Sequence, residues 1–208
     1  SFVLAQLKQL KLISMTRLLF LSLLASLLIL SSCDTYQPSP SNLTEHNFIP
    51  KPTKVTSGGS SFRINDQSSI VVSDNITGIG NYLKEKIQLA SGISIPVETS
   101  SKDGKTSISL SLDPIAKGVQ NDGYVMDISE SKLTILAITE AGLFNGVQTL
   151  NRLLPLAPLA PGEILEIPTG SIIDNPNFGY RGSMLDVSRH FFSVADVKRY
   201  IDLISMYK

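Results

Sequence analysis

The sequence predicts an α+β protein. A small two-layer domain, an antiparallel sheet with two helices on one face, comes first. A single strand–loop–helix unit of a parallel α/β architecture follows it. Three observations carry this reading. Apolar residues alternate with polar ones at 108–112, 124–128 and 133–137. Two segments, 76–90 and 143–154, repeat apolar residues at helical spacing. Residues 183–187 contain the run Met184 to Val187, apolar but for Asp186, and lead through a short loop into a third helical pattern beginning at Val194. Period 2 marks a half-buried strand, spacings of three and four mark an amphipathic helix, and an almost unbroken apolar run suits a strand covered on both faces.

Taken in order, Phe48-Ile49-Pro50-Lys51-Pro52 opens the folded part as an extended segment, because each proline forces its predecessor out of the helical region. Residues 69–72 are a short β-rich run. Ile76, Ile79, Leu83, Ile87 and Ala90 make one helical stripe, which Gly92 ends. Ile108, Leu110 and Leu112 alternate with serines. Tyr124, Met126 and Ile128 then pair across a polar turn at residues 129–131 with Leu133, Ile135 and Ala137, as a hairpin. Thr139 can cap the second helix, whose stripe is Leu143, Val147, Leu150 and Leu154, and Pro155 stops it. Residues 47–155 are thus expected to be one domain. Residues 156–174, with their prolines and glycines, are expected to be a linker, and Asp174-Asn175-Pro176-Asn177-Phe178 a turn. Ser193 is an N-cap, with Asp196 as its partner three residues on.

With 18 basic and 18 acidic side chains in 208 residues, the chain lacks the basic excess of a nucleic-acid binder. Gly78-Ile79-Gly80 has Leu83 where a dinucleotide fingerprint needs its third glycine. His46 stands alone in a polar segment, without companions for a metal site. No metal and no cofactor are expected.

The chain begins at Ser1, and Met15 is the expected start. Arg17, an apolar run over 18–30 and small residues before Cys33 describe a secretory signal too short to span a bilayer comfortably. Leu30-Ser31-Ser32-Cys33 resembles a bacterial lipobox. That resemblance implies cleavage before Cys33 and lipidation of its thiol, with a membrane as partner. Cys33 is the one cysteine, so there is no disulfide framework. Residues 1–33 are therefore expected to be a leader, and residues 34–46 a flexible tether. The expected location is the bacterial cell envelope, exported and lipid-anchored on the periplasmic or outer-membrane face.

Asp186, Arg189 and His190 sit at the C-terminal end of the 183–187 run and on the loop after it, where α/β barrels carry functional side chains. A buried carboxylate needs a partner, and Arg189 is within reach of Asp186. An Arg held by an Asp is a rigid fork of donors suited to sugar hydroxyls or to an anion. The same pair could equally do no more than pin the loop. Arg181, at the other end of the run, is read as a structural salt bridge.

From Asn175 to Lys208 the sequence, with its core R-G-S-M-L-D-V-S-R-H-F-F followed by V-K-R-Y-I-D, resembles the opening of the catalytic barrel of glycoside hydrolase family 20, the β-N-acetylhexosaminidases. I-P-K-P at 49–52, G-Y at 123–124 and A-G-L-F-N-G-V-Q-T-L at 141–150 resemble that family's N-terminal α/β domain. The resemblance implies that residues 175–208 are the start of a truncated (β/α)8 barrel. It implies removal of terminal β-linked N-acetylglucosamine or N-acetylgalactosamine from a glycan or chitin oligomer, by substrate-assisted retaining catalysis without cofactor. By position, Arg189 matches the family's substrate-binding arginine, with Asp186 and His190 as its support. The family's catalytic Asp-Glu pair, in a motif like H-x-G-G-D-E, does not occur in the sequence, and there is no tryptophan to wall a sugar pocket. The pair is expected beyond Lys208, and the fragment alone is expected to be inactive. The competing reading is a non-catalytic, membrane-tethered carbohydrate-binding or scaffold lipoprotein.

Overall fold

The computed structural model describes residues 36–101, 105–160 and 162–208, together with Arg17. Cys33 and, but for Arg17, the expected leader lie outside the described residues. The chain divides into two compact units, and the second, Pro38–Lys208, contains every strand and helix described below.

Among the described residues seven strands are formed: β1 (Lys54–Ile64), β2 (Ser69–Val71), β3 (Val97–Glu98), β4 (Ser107–Leu112), β5 (Tyr124–Ile128), β6 (Lys132–Ala137) and β7 (Leu165–Asp174). They make one sheet in the order β1-β7-β5-β6-β4-β2-β3. The helices are α1 (Thr77–Ser91), α2 (Glu140–Asn151) and α3 (Val194–Ser205). Tyr82 of α1 meets Phe144 of α2 with ring centroids 5.2 Å apart, and Gln148 donates to the Tyr82 hydroxyl at 3.0 Å. The two helices are thus neighbours. Their buried residues Leu83, Ile87, Leu143, Val147 and Leu150 share one core with the inward residues of the sheet. Alternation along β6 works as expected: Leu133, Ile135 and Ala137 are buried, and Thr134 and Leu136 less so. Gly146 lets α2 approach, since a Cβ there would stand 2.5 Å from Ile135.

The expected caps form. Thr139 accepts from the Gly142 amide, and Gly92 closes α1 in the left-handed region with φ 73°. Ser193 and Asp196 make a reciprocal capping box at α3.

Four expectations are corrected. The sheet is mixed: β2–β3, β2–β4 and β4–β6 are parallel, while β1–β7, β5–β7 and β5–β6 are antiparallel. A parallel pair needs a crossover, and α1 supplies it between β2 and β3, a strand too short to show period 2.

The expected linker holds β7, which runs between β1 and β5. Pro168 and Gly170 gave residues 165–174 the look of a connection. In the sheet, both fall where β1 shifts register between Ser57 and Ser61. Gly170 has φ 149° and lies against the Thr56 carbonyl, so a side chain there would collide with backbone.

The second half of the expected tether is docked. The Ser39 amide donates to Ser61 Oγ at 3.0 Å, Ser41 Oγ to the Ser60 carbonyl at 2.6 Å, and the Leu43 amide to Ser57 Oγ at 3.2 Å. Leu43 itself is fully buried. Finally, residues 183–187 are not a strand. Among the described residues no strand lies beside them to complete a ladder, and an extended segment becomes a strand only with a neighbour that takes up its amides and carbonyls. Met184 is accordingly 86% exposed.

Removing a buried leucine side chain leaves a cavity that costs about 3 kcal/mol. Leu43→Ala is therefore expected to lower the unfolding free energy by about that amount in equilibrium urea denaturation. A change of less than about 0.5 kcal/mol, the size of a surface substitution, would mean that residues 38–46 are a tether after all.

Candidate functional site

Residues 175–208 leave the end of β7 and run through an extended segment, a turn at 187–189 and α3. Asp186 organises the turn. Its Oδ1 accepts from the amides of Ser188 at 3.0 Å and Arg189 at 3.1 Å, and its Oδ2 receives Arg189 Nε at 2.5 Å. The carboxylate thus takes up two backbone donors left open by the turn, as Asp does in an Asx turn, and orients the guanidinium as well. The expected ion pair exists, but at the surface: the Arg189 side chain is 84% exposed and that of Asp186 32%. Engaging Nε leaves the two terminal nitrogens of Arg189, without a partner among the described residues, facing solvent as a planar pair of donors. His190 is exposed beside it. The structure therefore brings Asp186 and Arg189 together and leaves His190 outside their hydrogen bonds. Hydrogen bonds to the charged form favour ionisation. The Arg189 amide first, then the Ser188 amide, hold the Asp186 carboxyl below the usual aspartate range.

The turn stands on a braced frame. The Tyr200 hydroxyl of α3 donates to Ser183 Oγ at 2.5 Å, tying the helix to the extended segment. At the base, Arg181 is held at all three nitrogens: one terminal nitrogen meets Asp122 Oδ2 at 3.0 Å, the other the Phe178 carbonyl at 2.6 Å, and Nε the Lys208 carbonyl at 3.2 Å. The structural reading of Arg181 holds, and Asp122 is a partner the sequence did not single out.

Two further groups at the base escaped sequence reasoning. Lys208 Nζ lies 2.7 Å from Asp174 Oδ2 and 3.2 Å from the Tyr124 hydroxyl. Burial pulls the Lys208 ammonium below the usual lysine range, against the Asp174 carboxylate, which acts in the opposite sense. Burial first, then the charge on Asp174, pushes the Tyr124 hydroxyl well above the tyrosine range. A cavity of about 180 Å³ opens next to this cluster, with Lys51, Asp122, Phe178 and Arg181 in its wall. Among the described residues, no three His, Cys, Asp or Glu side chains gather as a metal site would need. None of the described helices is long and apolar enough to cross a membrane.

Comparison with known proteins places both parts of the chain in one family. Residues 45–175 match the model of glycosyl hydrolase family 20, domain 2, and residues 178–208 that of the family's catalytic domain. A beta-hexosaminidase of Porphyromonas gingivalis is 33% identical over 202 residues, covering 93% of this chain and 26% of that protein. A beta-N-acetylhexosaminidase of Cellulomonas fimi is 29% identical over 77% of this chain and 32% of its own length. Among solved structures, the family 20 β-N-acetylhexosaminidase of Streptomyces coelicolor A3(2) superposes with a TM-score of 0.69 at 37% identity. A Streptomyces plicatus β-hexosaminidase with its product GlcNAc superposes at 0.68 and 36%. Each alignment covers 83% of this chain and 34% of the solved one. The chain thus spans about a quarter to a third of the length of these relatives.

The order of causes on Asp186 is testable. A carboxyl whose folded value is lowered contributes stability that is complete above the unfolded value and is lost as the pH falls through the folded one. Carbon-13 NMR is expected to show Asp186 titrating below the ordinary aspartate value. In Arg189→Ala most of the depression is expected to persist, because the two amides remain. A return to the ordinary value in that variant would assign the effect to the guanidinium instead.

Proposed function

This chain belongs to glycosyl hydrolase family 20, and on that premise we propose that it supplies the accessory domain and the opening of the catalytic domain of a β-N-acetylhexosaminidase. The observation that carries this reading is Arg189, held at a turn by Asp186 with its two terminal nitrogens facing outward. A planar fork of donors, fixed before the ligand arrives, fits adjacent sugar hydroxyls and loses little freedom on binding them. Arg189 takes the hydroxyls of the terminal N-acetylhexosamine, and Asp186 keeps it aimed. His190 supports the loop.

The chemistry then needs little from this part of the protein. The substrate's 2-acetamido carbonyl attacks the anomeric carbon and displaces the aglycone, giving an oxazolinium intermediate that water opens with retention. An Asp orients the acetamido group, and a Glu protonates the leaving oxygen and later activates the water. Both belong to sequence other than these 208 residues. So do the strands that would pair with residues 183–187, make them the first strand of a (β/α)8 barrel, and cover Met184, Leu185 and Val187. The substrate is a glycan or chitin oligomer ending in β-linked N-acetylglucosamine or N-acetylgalactosamine. A diacyl anchor on Cys33 holds the enzyme at the cell envelope.

In the complete enzyme, Arg189→Ala is expected to reduce kcat/KM on an aryl N-acetylglucosaminide about thirtyfold. That corresponds to the loss of charge-assisted hydrogen bonds worth about 2 kcal/mol. An unchanged kcat/KM would remove Arg189 from the sugar site. These 208 residues alone are expected to release no aryl alcohol above a mock purification, and a clear rate would show that the Asp-Glu pair is not required. Cys33→Ser is expected to move the protein from the membrane fraction to the soluble one. Unchanged fractionation would rule out the lipid anchor.

A further inference from the structure

The segment docked on β1 has a direction. The Ser39 amide meets Ser61 Oγ, Ser41 Oγ the Ser60 carbonyl and the Leu43 amide Ser57 Oγ, so residues 39–43 run along β1 antiparallel to it. The chain therefore reaches Ser39 from the Ile64 end of the sheet. Pro38 and Pro40 keep their predecessors out of the helical region and so favour an extended course. Leu43, fully buried, pins the far end of the segment in the core.

The strand that leads to the catalytic domain runs the other way. In β7, Leu165 pairs with Ile64 and Ile173 with Lys54, and Asp174 is the last residue. The match to the catalytic domain begins at residue 178. At about 3.4 Å per residue, β7 carries the chain about 30 Å from the Ile64 end before it leaves the sheet. The tether and the catalytic domain thus join the accessory sheet at opposite ends.

Ser39 stands six positions after Cys33, and six residues reach at most about 22 Å. A chain free as far as Thr53 would reach about 70 Å and would impose no orientation. We propose that the accessory sheet is a stand-off: a lipid surface lies at its Ile64 end, and the catalytic domain begins at the end turned away from that surface. The docking of residues 38–46 on β1 is what fixes this orientation, by shortening the free chain. This rests on the reading of Cys33 as the lipid-anchored residue.

The test uses the complete lipidated enzyme in phosphatidylcholine vesicles that carry an acceptor dye on a lipid headgroup. Asp66→Cys and Lys117→Cys place a donor dye at the two ends of the sheet, read against the parent enzyme treated with the same dye. Asp66 lies in the turn that follows β1, and Lys117 adjoins Gly118, whose carbonyl accepts from Asn175 Nδ2 at 2.9 Å just beyond β7. Energy transfer from position 66 is expected to exceed that from position 117 at least about twofold, because about 30 Å of sheet separates the two levels. A flexible Gly/Ser insertion of about 20 residues between Thr35 and Tyr36 leaves the docked segment intact and frees the reach. It is expected to abolish the difference while kcat/KM on a soluble aryl N-acetylglucosaminide stays unchanged. Leu43→Asp, which undocks the segment, is expected to abolish the difference as well, and if that variant fails to fold the insertion carries the test. Equal transfer from the two positions, stronger transfer from position 117, or a difference that survives the insertion would overturn the proposal. An enzyme that stays in the supernatant and shows no transfer from either position means that the anchor reading itself has failed, and the stand-off falls with it.

Discussion

Much of this structure depends on where the Asp174 carboxylate is placed. It ends β7, a strand flanked on both sides, and so stands at a fixed point of the sheet. Few donors reach it, and they come from three places in the chain: the Thr53 amide and hydroxyl before β1, the Tyr124 hydroxyl at the start of β5, and the Lys208 ammonium after α3. A carboxylate with so little exposure must be surrounded by such partners or be neutralised. Meeting that requirement draws the entry of the sheet, its middle and the exit of α3 to one end of the domain.

Two arginines eight positions apart show how the same side chain divides its work. Each of the three nitrogens of Arg181 donates to a protein acceptor, one of them a carboxylate. Arg189 is fixed through Nε alone and keeps its terminal nitrogens outward. A guanidinium held at all three nitrogens is a fastener. One fixed at a single edge is a pre-aimed donor pair, which is what recognition of neutral hydroxyls requires, since the cost of ordering the side chain is met before the ligand arrives. The sequence already separated the two by their position relative to the 183–187 run. It did not reveal Asp122, which lies far away in the chain and reaches Arg181 only because β5 and β7 are adjacent.

The strands and helices with clear periodicity were readable: β4, β5, β6, α1, α2 and α3 formed where alternation or helical spacing placed them, with the expected caps at Thr139, Gly92 and Ser193. What escaped was set by partners. In β1, the stretch Lys54-Val55-Thr56-Ser57-Gly58-Gly59 has no alternation, and β7 contains a proline and a glycine. Both are strands because each completes the other across a register shift. Leu43 looked like one apolar residue in a polar tether, yet it is buried in the core by hydrogen bonds of Ser39 and Ser41 to β1. In the opposite sense, residues 183–187 have a strand's composition and, among the described residues, no neighbouring strand. At the site, the Asp186–Arg189 pair was legible because it is local. The Asp174–Lys208–Tyr124 cluster was not, because its members are 34 and 84 positions apart.

The central claim is that Arg189, braced by Asp186, binds the terminal N-acetylhexosamine. The most direct test is a crystal structure of the complete enzyme with a thiazoline mimic of the oxazolinium intermediate. The expected result is Arg189 terminal nitrogens within about 3 Å of hydroxyl oxygens of the sugar, with Asp186 still on Nε. A sugar bound with Arg189 well beyond hydrogen-bond distance would contradict the account.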